Sequence, residues 1–265
     1  MKHTIIGILA IVVFICFSSQ SWSEETIIIS TEDYPPHTSP DLNHYGLNCH
    51  IVTEAFALEG ITVKYRFYPG KRSYITAKEG KTDGTVPWVW RKDRAEHFYY
   101  PDPVHTAGFD SFFHLKTVKP GWNPEKPNFA NLAGLKIGGV IGHNYGELFQ
   151  NAEKSGIIEV ERVATTIQNF RKLLAGRIQL YLVEDSVGYY KLHKNFSKTD
   201  VELITHIRKN TNPAATYHLI ISKKSKKGIY FVNAFNNGLR KLKESGRFDQ
   251  FVKASMQGDY ILKKP

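Results

Sequence analysis

Residues 45–68 read YGLNCHIVTEAFALEGITVKYRFY. Leu47, Ile51, Val52, Ala55 and Leu58 recur at helical spacing, which predicts a helix over residues 47–59. Gly60 provides the left-handed turn that stops it. From Ile61 to Tyr68 apolar and polar residues alternate, the period of a strand. Upstream, Thr26–Thr31 is a β-branched run that reads as a strand, and Glu32–Asn43 is a polar loop carrying prolines and an aromatic. Downstream, a helix from Arg72 ends near Gly80, and Thr82–Val86 reads as another strand. Strand, helix, strand, helix, strand predicts an α/β structure with a largely parallel sheet covered by helices.

The pattern restarts after the Pro- and Gly-bearing stretch Pro120–Pro127. Leu135–Ile141 reads as a strand, Tyr145–Ala152 as a short helix and Ile158–Val163 as a strand. Ile167–Leu174 follows as a helix and Ile178–Val183 as a strand. Each unit has a helix ending in glycine just before a strand, EGKTDG at 79–84 and AGRIQL at 175–180. The tail adds a strand at Tyr217–Ser222, an amphipathic helix at Ile229–Leu242 and a short helix at Arg247–Met256.

The chain opens with Lys2, an apolar run from Ile5 to Phe17 and the polar stretch Ser18–Ser23, the layout of an export signal. The run is shorter than the roughly 20 apolar residues of a spanning helix. Cleavage is expected after Ser23, with Ser21 and Ser23 at the small-residue positions. Phe14 and Ile15 are too bulky for a lipid-anchoring signal at Cys16. Removal of residues 1–23 leaves 242 residues, enough for a core and near the size at which chains divide into two domains. With 42% hydrophobic and 23% charged residues the chain reads as an ordinary folded protein. Cys49 is then the one cysteine, which excludes an intramolecular disulfide. The net charge is +10, or +9 without Lys2, and the positive residues are scattered. No basic stripe interleaved with aromatics favours nucleic acid. The eleven histidines lack H-x-x-x-H or H-x-H spacing backed by acids, so neither a metal nor a cofactor is expected.

The ordered blocks resemble the family-3 extracellular solute-binding proteins, the periplasmic receptors of amino-acid-type ABC importers. STEDYPPHTS at 30–39 resembles the family's opening strand and cleft loop, and residues 45–61 its first helix. EGKTDG, RKDRAEHFYYPDPV, LAGLKIGGVIGHNYGE, LLAGRIQLYLVED and FNNGLRKLKESGRFDQFV follow in the family's order. The resemblance implies a two-lobed type II periplasmic-binding-protein fold with mostly parallel sheets and a hinge. Lobe one would comprise residues 24–112 and 216–265, and lobe two residues 113–215, with crossings near Phe109–Lys116 and Asn212–His218. A ligand would enter between the lobes near the carboxyl ends of the strands.

Several residues are then candidates for the ligand site. Arg94 matches the family arginine that forks onto a carboxylate; taken alone it reads equally as a surface or capping arginine. Arg72 and Arg91 are secondary, and Arg72 has a solvent-exposed alternative. Tyr34 matches the aromatic that covers the ligand, or else anchors the loop beside Pro35 and Pro36. Trp88 and Trp90, two apart on an extended segment, would form one aromatic wall unless one of them is core. Backbone amides around Gly142, Asn144 and Tyr145 would attract an anion, with Asn144 or Tyr145 replacing the family's hydroxyl side chains. Glu184 matches the acid that receives an ammonium.

The implied protein is a monomeric periplasmic receptor that captures a small, carboxylate-bearing solute and presents it to an inner-membrane permease. A periplasmic dehydratase on the same fold is the enzymatic alternative, with Glu184, Asp185 or His143 as acid or base. No nucleophile–base pair is readable, so the expectation is a non-enzyme. An orphan receptor that signals to a membrane sensor is a third reading.

Overall fold

The computed structural model describes residues 25–106, 108–143, 145–212 and 215–262. The expected export signal, residues 1–23, and Asn144 lie outside the described residues. The first part of the chain forms β1 (Glu25–Thr31), α1 (Leu47–Ala57), β2 (Ile61–Phe67), α2 (Gly70–Lys78), β3 (Gly84–Trp88), α3 (Lys92–Ala95), β4 (Phe98–Tyr99) and β5 (His105–Thr106). Then come β6 (Asp110–Leu115), β7 (Lys136–Val140), α4 (Glu147–Lys154), β8 (Glu159–Val163), α5 (Thr166–Leu174) and β9 (Leu180–Glu184). α6 (Asp185–Asn195), α7 (Lys198–Leu203) and β10 (Ile204–Arg208) follow, and β11 (Thr216–Ser222), α8 (Gly228–Glu244) and α9 (Arg247–Gln257) close the chain.

These strands build two sheets, one per lobe, in the orders β2-β1-β3-β11-β4 (with β5 on β11) and β10-β6-β9-β7-β8. The strands joined by strand–helix–strand runs are parallel: β1 with β2 and β3, and β7 with β8 and β9. The strands that leave and re-enter each lobe, β6 with β10 and β11 with its neighbours, pair antiparallel. The sheets are therefore mixed, where mostly parallel ones were expected.

The lobe division also shifts. β6 pairs with β9 from Asp110 onward, and Phe112, placed in lobe one by the sequence, is buried in the second core. The outward crossing is thus the short stretch between Thr106 and Asp110, because residues 110–115 are already a strand of the second sheet. The return runs from Arg208 to Thr216, so Thr216–His218 belongs to β11 rather than to the crossing.

In lobe one, Val52, Ala55 and Phe56 of α1 pack with Phe235 and Leu239 of α8 over Ile27 and Ile29 of β1. Cys49 lies fully buried in this core, and burial pushes its thiol far up. Gly238 lets α8 approach α1: a Cβ there would stand 1.8 Å from the Ala55 carbonyl oxygen. In lobe two, adjacent Phe112 and Phe113 serve opposite faces of the sheet. Phe112 packs with Trp122 and Phe149, and Phe113 with Phe170 and Tyr181. No helix among the described residues is long and apolar enough to cross a membrane.

Gly238→Ala gains about 1 kcal/mol in helix propensity. Its methyl must nevertheless force two backbones apart, and a net destabilisation of about 1–3 kcal/mol is expected in denaturant unfolding. An unchanged midpoint would show that α1 and α8 separate freely.

Candidate functional site

The loop after β1 turns tightly. Thr38 and His37 donate their N–H groups to the Tyr34 carbonyl at 3.0 Å, and the Thr38 hydroxyl donates to the Glu32 carbonyl at 2.7 Å. This turn carries His37 inward until it is 0% exposed. Its ring lies 5.1 Å from Tyr34 and 4.7 Å from Tyr217, and the two tyrosine hydroxyls meet at 3.3 Å. Tyr217 starts β11 and pairs with His105 of β5.

Lobe two faces this cluster with Glu184, the last residue of β9 and the N-cap of α6. Its Oε1 accepts from the Ser186 hydroxyl at 2.6 Å and the Ser186 N–H at 3.2 Å. Its Oε2 stands 3.7 Å from His37 Nε2, an ion-pair separation longer than a hydrogen bond. Neither ring nitrogen of His37 has a hydrogen-bond partner among the described residues. Burial alone would raise the Glu184 carboxyl, but His37 and Ser186 together outweigh it and hold the group below its ordinary range. The neighbouring Asp185 goes the other way. Burial first, and then the Glu184 charge, push it up to about 6, against the Phe109 N–H that donates to Oδ1 at 3.1 Å. Burial, with His37 adding to it, lowers His105 to about 4, so its imidazole is neutral near pH 7.

A second cluster sits in lobe one. Arg94 in α3 lays its guanidinium over the Trp88 ring at 4.6 Å, with Tyr74 at 5.9 Å. One donor, Nη1, reaches the Val89 carbonyl at 2.9 Å. Trp88 is fixed by its indole N–H on Thr85 Oγ1 at 2.9 Å and by Tyr74. Lys71, Arg91 and Arg94 line a cavity of about 300 Å³ here, and Arg91 is paired with Asp93 at 2.9 Å. Positive charge exceeds negative on this wall, which suits an anionic group.

The predicted site residues therefore divide. Tyr34 and Glu184 meet at the lobe junction around His37; Trp88 and Arg94 meet in the lobe-one cavity. Trp90 is 60% exposed, beyond the end of β3 where the chain turns into α3, so it does not form one wall with Trp88. Arg72 is exposed and stacks on Tyr68 at 4.7 Å. Gly142 takes φ +80 in an exposed turn, but α4 begins only at Glu147, so the turn is not itself a helix start. Tyr145 belongs to the second core. Its hydroxyl accepts the Val140 N–H at 2.7 Å and its ring packs on Phe149, so it cannot replace a ligand-facing hydroxyl. Glu184, expected to await a ligand ammonium, already has Ser186 and His37. His37, Tyr217 and His105 escaped the sequence reading. Among the described residues no three His, Cys, Asp or Glu side chains are grouped to hold a metal ion.

No protein-family model matches the chain, and no curated protein matches it. Solved structures do. The second substrate-binding domain of Lactococcus lactis GlnP, in its open conformation, is 15% identical over 92% of this chain and 98% of its own, with a TM-score of 0.68. A substrate-binding protein of a polar amino acid ABC uptake transporter from Streptococcus thermophilus is 16% identical over 89% and 88%, with a TM-score of 0.69. The unliganded, open L-cystine solute receptor of Neisseria gonorrhoeae is 18% identical over 91% and 96%, with a TM-score of 0.67. At these identities the likeness is one of fold: the two-lobed, type II periplasmic-binding-protein architecture.

A carboxyl raised from 3.8 to about 6 favours the folded state at low pH, and that contribution is lost as pH rises through about 6. Asp185→Asn removes this loss. The variant should gain on the parent between pH 4 and pH 7 by up to about 3 kcal/mol. Urea unfolding at both pH values checks this; a pH-independent difference would mean that Asp185 does not titrate in that window.

Proposed function

We propose that this protein is a receptor that captures a small acidic solute between its lobes. The observation that carries this reading is Arg94 on the lobe-one side, which spends one donor on Val89, lies over the Trp88 ring at 4.6 Å and lines, with Lys71, a cavity of about 300 Å³. A carboxylate leaving water must be both paired and hydrogen-bonded. A planar guanidinium backed by an indole offers two parallel donors in a fixed orientation.

The solute is an amino acid or related carboxylate. Two of the similar structures named above, the binding protein of a polar amino acid uptake transporter and the L-cystine receptor, support that class. An ammonium on the solute would engage Glu184 by replacing His37 as its partner, since the two stand only 3.7 Å apart across the junction. Binding and lobe movement are then one event. Export through a signal in residues 1–23 would put the receptor in the periplasm, and an inner-membrane permease of an ABC importer is the partner that would accept the solute.

Calorimetry against a panel of amino acids and related carboxylates identifies the solute. Arg94→Ala should then cost about 2–5 kcal/mol of binding, roughly a 30- to several-thousand-fold loss of affinity. Unchanged affinity, or a solute without an acidic group, overturns the site. Small-angle scattering with saturating solute should show compaction, whereas an unaltered profile in the presence of proven binding excludes hinge closure. Mass spectrometry of the exported protein should find an amino terminus near Glu24; an intact Lys2 would exclude cleavage.

A further inference from the structure

A larger cavity, of about 510 Å³, lies at the hinge itself and shares no lining residue with the one beneath Arg94. Its ionisable groups come from lobe two and from His105 of β5 in lobe one. Arg208 at the end of β10 lies over the Phe109 ring at 3.7 Å, and among the described residues its guanidinium has no hydrogen bond or ion pair. Asp185 gives Oδ1 to the Phe109 N–H, while Oδ2 stands 3.9 Å from His206 Nε2, beyond hydrogen-bond range. His206 is held by its other nitrogen on the Tyr189 hydroxyl at 3.0 Å. His105 lines the same space, is 8% exposed, and its Nδ1 has no partner among the described residues. Lobe one adds Leu47 at the start of α1, and Val252, Ser255 and Met256 on α9.

We propose that this hinge cavity is a second binding site, for a small zwitterion with an apolar side chain. The guanidinium of Arg208 takes the carboxylate, for which its planar donors are suited. The Asp185 carboxylate accepts from the ammonium, and the neutral imidazole of His105 supplies a further hydrogen-bonding group. The side chain lies on Leu47, Val252 and Met256, where the flexible thioether adapts to its shape. Each lobe contributes one wall, so occupancy depends on the hinge angle and couples, in both directions, to solute binding at Arg94.

Met1 and Met256 are the only methionines of the chain, so [methyl-13C]methionine labelling places a reporter in the cavity. L-Leucine and L-phenylalanine are the probes, with leucinamide and 4-methylpentanoate as analogues that lack one charge each. A saturable shift of the Met256 methyl signal is expected for at least one amino acid, with both analogues weaker by about tenfold or more. The shift should persist in Arg94→Ala and weaken by about tenfold or more in Arg208→Gln, an exposed position whose unfolding midpoint should stay unchanged. Absence of any shift up to about 20 mM probe, about the limit of useful affinity, overturns the site. So does a shift that survives Arg208→Gln but disappears in Arg94→Ala, because Met256 would then be sensing closure around the first cavity. Neither result bears on whether Arg94 holds the solute.

Discussion

Lobe two is inserted into lobe one, so the chain passes the junction twice, and the cleft depends on how those two passages are held together. Lys209 fastens them. Its N–H donates to the Asp110 carbonyl at 2.7 Å and its ammonium to Asp110 Oδ2 at 2.6 Å. The same ammonium reaches the Tyr145 carbonyl at 3.1 Å, which ties both passages to the second core. On the lobe-one side, Thr216 and Tyr217 pair with Thr106 and His105. The acids share this frame, because Asp110 is in register with Glu184 and the Asp185 N–H donates to the Phe109 carbonyl at 3.0 Å. Gly108 fits beside them because it has no Cβ: one there would stand 1.7 Å from Asp185 Oδ1 and 2.1 Å from Glu184 Oε1. A rotation of one lobe on the other must therefore move this acid pair.

The α/β alternation was legible where apolar residues repeat at the period of the element. The spacing of Leu47, Ile51, Val52 and Ala55 and the restart after Pro127 led to α1 and to the second unit. Some of the segments that escaped are buried on both sides, whereas α7 escaped as a short helix with no buried residue to mark a face. DSFFHL at 110–115 has no alternation, because Phe112 and Phe113 enter cores on opposite faces of the sheet. α6 has little amphipathic contrast, since it packs on α5 within lobe two and on α9 of lobe one. The helix expected from Tyr145 begins only at Glu147, because Gly146 takes φ +90 as its N-cap and leaves Tyr145 in the second core.

The site was legible where chemistry is local. Arg94 and Trp88 lie six residues apart and meet through one turn of chain, and Glu184 ends a strand whose pattern is plain. His37 carried no such signal. It sits in a polar, proline-bearing loop, and its burial comes from Tyr217, far along the chain, and from Glu184 in the other lobe. The same holds for His105, which pairs with Tyr217 of β11 and has the Phe248 ring of α9 beside it.

Cys49 lies at 0% exposure inside the α1 core, with its thiol further quieted by burial. It is the only cysteine among the described residues. Maleimide chemistry on the folded protein would therefore pass it by, and a cysteine installed on the surface of each lobe would take a dye without any need to disturb that core. The distance between two such dyes would read the angle between the lobes directly, molecule by molecule, and would turn the proposed closure on a solute into an optical signal.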